Sequence, residues 1–364
     1  MKRNLSYSRQ IWIRLKKNKP AFAGLMIIAI TFLIALFAYV IAPDKSPNAD
    51  LQTVEIQAKK PGYTQQFLKI PDNKHVRTSL AGSFFNGVVS QYKYLPITGY
   101  TINGNELQVK KYVDDDTTVS QVFSISKLTG NNPADITKLI ITKKYWLGTD
   151  SYGRDILSRL IIGTRVSLAV GLVSVLISLL LGILLGAIAG YYRVWIDDLV
   201  MWLVNISWSI PTLLLVFAFT MALGKGFWQI FIAVGLTMWV SVARLVRGQV
   251  MAVKELEYIQ AAKALGYTNS RIILRHILPN ISGPVMVIAA GNFATAIIIE
   301  AGLSFLGIGV QPPMPSWGLM IKENYNFIIT HNPFLAIIPG IAIMLLVLAF
   351  NLLGNGLRDA VDVK

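Results

Sequence analysis

The chain has 364 residues, of which 54% are hydrophobic and 15% charged, and its formal net charge is +15. So apolar a composition excludes an ordinary soluble domain and predicts a polytopic membrane protein. Without cysteine there is no disulfide framework, thiol nucleophile or cysteine metal site, and the three histidines, His75, His276 and His331, are too scattered for a ligand cluster.

Residues 1–20 carry Lys2, Arg3, Arg9, Arg14, Lys16, Lys17 and Lys19 ahead of an apolar run, residues 21–42. That run can cross about 30 Å of hydrocarbon. It exceeds the roughly 7–15 residues of a signal-peptide core, and no small-x-small cleavage pattern precedes Pro43. A retained first helix with a cytoplasmic basic end is expected. Residues 44–145 are polar, with strand-like runs at 87–94 and 106–113 and hairpin chemistry in Ile102-Asn103-Gly104-Asn105. They predict a small β-rich insert between the first and second helices, and a loop longer than roughly 60 residues crosses a membrane largely regardless of its lysines.

Residues 145–171, YWLGTDSYGRDILSRLIIGTRVSLAVG, read as a turn at 147–150 leading into an amphipathic helix, with Asp155, Arg159 and Arg165 at the outer interface for anchoring and packing. Further spans are predicted at 166–191, 199–223, 227–245, 284–308 and 333–353. The fold class is an all-α polytopic membrane protein with six transmembrane helices, both termini cytoplasmic and the β-rich insert extracytoplasmic. Arg244, Arg247, Lys254, Lys263, Arg271 and Arg275 gather at one loop, whereas the opposite short loops carry only Lys225 and Lys322, which agrees with that orientation. The domains are then a basic N-terminus 1–20, a helix 21–42, an insert 44–145 and a five-helix core 146–364 holding a cytoplasmic loop at 246–283.

Gly182, Gly186 and Gly190 recur at four-residue spacing, so a second helix backbone can approach this face, as a sliding seam or a static one. Between apolar runs lies ELEYIQAAKALGYTNSRIILRHILP. Glu257 to Leu265 reads as a short helix with Ala261 and Ala262 on its surface, and Gly266 offers a left-handed C-cap. Thr268, Asn269 and Ser270 can cap a second helix carrying Ile272, Ile273, His276 and Ile277 on one side, which Pro279 should stop. Too small for a domain and too well punctuated for a slack linker, this pair is expected to dock against a partner. Glu300 is the one acidic residue well inside a span; it either lines a path or makes a structural hydrogen bond. The prolines in QPPMPSWG, residues 311–318, are expected to stop the preceding helix and fold an outer cap.

Gln260, Ala261, Ala262, Gly266, Leu278 and Pro279 resemble the EAA loop of ABC-importer permeases. Together with Tyr258, Arg271 and the wording RIILRHILPN, they resemble the C-type permease of the dipeptide, oligopeptide and nickel branch. Gln260 stands where the family pattern has glutamate and His276 where it has isoleucine, although Glu257 lies one turn earlier. The stretches 145–171, EAGLSFLG at 300–307 and QPPMPSWG resemble the same branch. The resemblance implies a peptide-transport subunit of the inner membrane, with Glu257 through Gly266 as the coupling helix. Its implied partners are a second permease, two ATP-binding cassette ATPases and an extracytoplasmic substrate-binding protein, besides the lipid. The chain itself would bind no cofactor, because ATP and magnesium are used by the ATPases.

No Walker A pattern, dinucleotide fingerprint or nucleophile elbow occurs, so no catalytic residue and no metal ligand is predicted and the chain is not expected to be an enzyme. The positive charge lacks a basic and aromatic groove, so no nucleic acid partner is expected. Two other readings compete with peptide import. One is a membrane-anchored sensor or scaffold that uses the 44–145 domain; the other is import of nickel chelates or another small solute.

Overall fold

The computed structural model describes residues 7–72, 79–129, 136–224, 226–329 and 332–361. Lys2, Arg3, His75, Lys225 and His331 lie outside the described residues. The chain divides into two compact units, one comprising residues up to Leu33, Ser167–Gln311 and residues from Ile341 onward, the other Ile34–Val166 and Pro312–Gly340.

The helices are α1 Tyr7–Lys17, α2 Lys19–Leu36, α3 Ile156–Tyr192, α4 Val194–Ser209, α5 Thr212–Leu223, α6 Phe227–Lys254, α7 Glu257–Ala264, α8 Ser282–Phe305, α9 Trp317–Asn324 and α10 Phe334–Val361, with shorter turns between. Among the described residues, α2, α3, α6, α8 and α10 are each long and apolar enough to cross a membrane. The protein is thus mostly helical and polytopic, with five candidate spans, or six if α4 and α5 are one. The span expected at 199–223 is not a straight rod, because α4 and α5 meet at 98°. Pro211 has no N–H for the ladder and pushes the residue before it out of the helical region; Ile210 sits at φ −101°, ψ 129°. The expected turn stays outside the helix, and the amphipathic helix after it merges with the second span into the 37-residue α3, about 55 Å long at 1.5 Å per residue.

In the first unit, α3 and α6 pack along the glycine face. A Cβ on Gly186 would lie 2.5 Å from the Ala243 carbonyl oxygen, and one on Gly190 2.7 Å from that of Arg247. Gly182 meets Val242 and Trp239 in the same way. Phe293 of α8 stacks on Phe350 of α10, with centroids 4.0 Å apart. The end of α8 corrects the expectation for the prolines. The helix has already stopped at Phe305, where Gly307 takes φ +84° and the N–H groups of Ile308 and Gly309 both return to the Leu303 carbonyl at 2.9 Å.

The second unit carries a five-stranded antiparallel sheet in the order β4-β3-β2-β1-β5, built from β1 Tyr63–Pro71, β2 Tyr92–Asn103, β3 Glu106–Tyr112, β4 Thr118–Ser124 and β5 Ile140–Tyr145. The β2–β3 hairpin closes at Asn103↔Glu106 over the two residues Gly104 and Asn105, as the turn chemistry predicts, and Gly104 has φ +58°. The strand expected from Gly87 begins instead at Tyr92, because Ser79 caps a helix Leu80–Asn86 that Gly87 closes at φ +80°. One sheet face buries Leu68, Ile97, Leu107 and Val109 against Ile125, Leu128 and Ile136; the other buries Phe67, Tyr112 and Tyr145 against Ile56. With both faces covered, the insert has a core of its own.

Asp155 and Arg159 are both buried, so they pack inside the second unit. Arg159 joins Arg154 in an ionic cluster. Arg154 pairs with Asp150 at 2.7 Å, Glu323 at 2.7 Å and Asp50 at 3.1 Å, while Arg159 reaches the same Glu323 oxygen at 3.0 Å. Burial pulls the Arg154 guanidinium down, but the carboxylates of Asp150 and Glu323 outweigh it and hold its pKa above the ordinary arginine value. Arg165, expected at the interface, donates to the carbonyls of Ala35 and Phe85, both at 2.7 Å. Gly153 closes the turn at φ +72°, where a Cβ would run into the Thr53 carbonyl.

Candidate coupling site

The polar segment between α6 and α8 belongs to the first unit. Helix α6 runs to Lys254, further than the expected 245, so the connection shrinks to residues 255–281. Leu256 turns the chain, and α7 follows. Its end is a Schellman motif: the Gly266 N–H donates to the Lys263 carbonyl at 3.0 Å and the Tyr267 N–H to the Ala262 carbonyl at 3.2 Å. Gly266 takes φ +78°, so the elbow forms at the predicted residue.

The periodicity of α7 splits it into two faces. Ile259 and Ala262 are buried with Ala187, Tyr191, Val246, Val250, Ile272 and Ile277 around them, whereas Glu257, Tyr258, Gln260 and Ala261 are exposed. Ala262 is therefore not a surface residue. It points inward with Ile259, three residues earlier on the helix.

After the elbow the chain enters Asn269–Ile272 without a side-chain cap, so the hydroxyl of Thr268 does not do what its position predicts. Pro279 does not stop this helix either. A π turn, Ile273–Ile277, widens the ladder just ahead of the proline, with the Leu278 N–H reaching back to the Ile273 carbonyl, and helix resumes at Leu278–Asn280. The extra residue supplies the room that the proline ring needs against the preceding turn. Ile272 and Ile277 face the core, His276 is half-buried, and Arg271, Leu274, Arg275 and Pro279 are exposed. His276 stacks on Tyr267 at 5.9 Å, and the Arg271 guanidinium lies 4.2 Å from the same ring.

Four contacts fix this segment that sequence reasoning missed. Lys254 Nζ donates to the Tyr191 carbonyl at 2.7 Å, Tyr191 Oη donates to Asn269 Oδ1 at 2.8 Å, Arg193 pairs with Glu255 at 2.8 Å, and Asn280 donates to Tyr258 Oη. Only the repeated tyrosines at 191 and 192 hinted at such a brace. Glu300 is buried, with Ser304 Oγ donating to its Oε1 at 2.7 Å, and Ser304 Oγ in turn accepts from the Val310 N–H at 3.0 Å. The carboxylate thus joins the end of α8 to the turn beyond it.

Two family models match. Residues 182–364 match the binding-protein-dependent transport system inner membrane component, and residues 6–58 the N-terminal TM domain of oligopeptide transport permease C. Among curated proteins, a glutathione transport system permease protein, GsiD, from Pectobacterium atrosepticum is 44% identical over 220 residues, 60% of this chain and 73% of that one. The dipeptide transport system permease protein DppC from Alkalihalophilus pseudofirmus is 45% identical over 221 residues, 61% of this chain and 72% of that one. A solved structure of the MetNI methionine ABC transporter aligns at TM-score 0.48 with 21% identity, covering 57% of this chain and 98% of that chain. The chain belongs to the binding-protein-dependent transport system inner-membrane components, in the C-type branch of peptide permeases.

Proposed function

We propose that this chain is the permease subunit of an ATP-driven importer of peptides and lines one path with a second, homologous permease. Two ATPases, using ATP and magnesium, dock on residues 257–279 from the cytoplasm, and a substrate-binding protein delivers from the other side. Counting α4 and α5 as one broken span gives six crossings with both termini inside and the sheet outside. The retained arginines of the 246–283 region support that orientation. The division into residues 1–20, 21–42, 44–145 and 146–364 belongs to the same reading.

The observation that carries it is the two-faced α7. Its inner face is packed on spanning helices, its end is fixed by the Schellman cap, and its outer face of Tyr258, Gln260 and Ala261 is exposed. A partner pushing on that face moves α6 and α8 through Ile259, Ala262 and Ile272 rather than bending a loop. Glu257, Arg271, His276, Leu278 and Pro279 shape the same lever. Gly182, Gly186 and Gly190 form its packing seam, and Glu300 acts as a brace for α8 rather than a lining group. Peptide is favoured as cargo by the names of the relatives, which carry glutathione and dipeptide.

The test is co-purification from detergent of wild type and Ala261→Arg. Wild type should bring down ATPases and a second permease, and the variant should lose the ATPases alone. Gly266→Pro, which removes both the left-handed geometry and the donated N–H, should uncouple ATP hydrolysis from uptake without preventing insertion. Normal uptake by that variant would remove the lever from the account.

A further inference from the structure

The second unit holds a pocket of about 220 Å³ lined by Pro43, Asp44, Leu51, Lys143, Lys144, Tyr145 and Asp155. It adjoins a wider cleft of about 530 Å³ that shares Pro43, Asp44, Leu51 and Lys143 and extends along Tyr92 and Tyr94. Together they fall within the roughly 300–1,000 Å³ typical of small-molecule sites.

Lys143 and Asp155 feel each other's charge across this pocket, and Lys143 feels that of Asp44, but neither makes a direct ion pair among the described residues. Lys143 Nζ lies 3.6 Å from the Tyr94 ring centroid and 5.6 Å from that of Phe67, yet it makes no ion pair and no hydrogen bond among the described residues. Asp155 accepts from the Ser158 N–H at 2.9 Å and from Ser158 Oγ, both at Oδ2. Its Oδ1 has no partner among the described residues and is not sealed from solvent. Burial pulls the Lys143 ammonium below the ordinary lysine value and pushes the Asp155 carboxyl above the ordinary aspartate value. The two sit in one pocket, too far apart for an ion pair. Asp44 lies beside them, its oxygens taken up by the Ser46 and Leu51 N–H groups.

The strands explain the arrangement. Lys143 sits opposite Gln65 on the sheet face that also carries Phe67, Tyr94 and Tyr145, so its stem crosses aromatic surface and its charge is held by the Tyr94 ring. Asp155 is fixed by Ser158 at the start of α3. A partly desolvated ammonium and a partly desolvated carboxylate that make no ion pair with one another each carry a cost. A ligand carrying the complementary pair satisfies both.

We propose that this pocket binds a small zwitterion with a primary ammonium and a carboxylate, an amino acid or a short peptide. The ligand carboxylate pairs with Lys143, its ammonium pairs with Asp155 Oδ1, and Leu51, Pro43 and Tyr145 hold the apolar part. This site stands apart from the coupling segment and holds whether or not peptide is the transported cargo.

The test is titration calorimetry on the full-length chain in lipid nanodiscs with four probes: L-alanine, Ala-Ala, N-acetyl-Ala-Ala and Ala-Ala amide. Wild type should bind a zwitterionic probe saturably, and the acetylated and amidated peptides should each bind about tenfold or more weakly, the scale of a lost charge-assisted hydrogen bond. Whether alanine or Ala-Ala binds more tightly separates amino acid from peptide. Lys143→Gln should weaken Ala-Ala but leave the residual affinity for the amide unchanged, Asp155→Asn should likewise weaken Ala-Ala but leave the residual affinity for the acetylated probe unchanged, and Lys143→Arg should retain binding. Absence of saturable binding, or equal affinity for all four probes, overturns the proposal. Because the probe series is run on wild type, a variant that fails to fold does not blunt it. Failure here with ATPases still co-purifying leaves the importer reading intact.

Discussion

The segment between α6 and α8 and the first turn of α3 with the residues before it both carry arginines, and the protein treats the two in opposite ways. Arg271 and Arg275 stand in solvent around an apolar ridge, while Arg154 and Arg159 are buried among Asp50, Asp150 and Glu323. Where charges face out, packing carries the stability and the surface is free for a partner. Where they face in, each charge depends on partners from distant stretches of chain, and the removal of one strands the others.

The largest effect expected from this contrast is at Arg154. Arg154→Met leaves Asp150 and Glu323 buried without their principal cation and should cost about 3–5 kcal/mol. Arg271→Met should change stability by less than about 0.5 kcal/mol. Thermal unfolding in detergent measures both, and similar losses for the two would break the comparison. Next comes the pair on α7. Ala262→Arg must force a long side chain into the Ile259 and Ile272 core, at about 1–3 kcal/mol, whereas Ala261→Arg should leave the midpoint within experimental scatter and act only on partner binding. If both fold equally well, the two-faced description of α7 is wrong.

A smaller effect is expected at Gly266. Nothing lies within 4 Å of a Cβ built there, so Gly266→Ala should cost only the left-handed backbone penalty of about 1–2 kcal/mol. At Gly153, where the Thr53 carbonyl blocks a Cβ, the same change should cost more. The ordering of the two midpoints checks whether strain or collision governs each turn.

The smallest effect is in the pH response of the insert. Burial, assisted by Tyr112, pushes Tyr63 from 10.0 up to about 12, and burial together with the hydrogen bond to Asp115 does the same for Tyr112. A phenol whose folded pKa is raised contributes stability that is fully present below the unfolded value. That contribution is lost as the pH climbs through the folded value. The unit should therefore loosen between about pH 10 and about pH 12. The absorbance of ionised tyrosine in wild type should lag behind an ordinary titration over that interval, and Tyr63→Phe with Tyr112→Phe should shorten the lag, leaving the part due to other buried tyrosines, Tyr145 among them.

Much of this was legible in the chain because it rests on local rules. Apolar runs of spanning length, the Gly104 turn, the elbow at Gly266 and the four-residue glycine spacing all follow from backbone geometry and helical or strand period, which neighbouring residues set. The bend at Pro211 and the persistence of helix through Pro279 show the limit of such rules. Both prolines remove an N–H, yet one stands at the 98° bend between α4 and α5 and the other is absorbed by a π turn.

What the sequence could not reveal is which charges are inside. Asp155, Arg159 and Arg165 read as interfacial anchoring and packing residues because an amphipathic helix start is compatible with either solvent or partners. Asp50 and Glu323 are 104 and 169 positions from Arg154, and no local pattern announces that they share its pocket. Likewise Ala261 and Ala262 are identical in sequence terms and differ only in which one meets the ridge of α3 and α6. Periodicity tells how residues on one element relate to each other; burial and pairing depend on contacts between elements, and those exist only once the chain has folded.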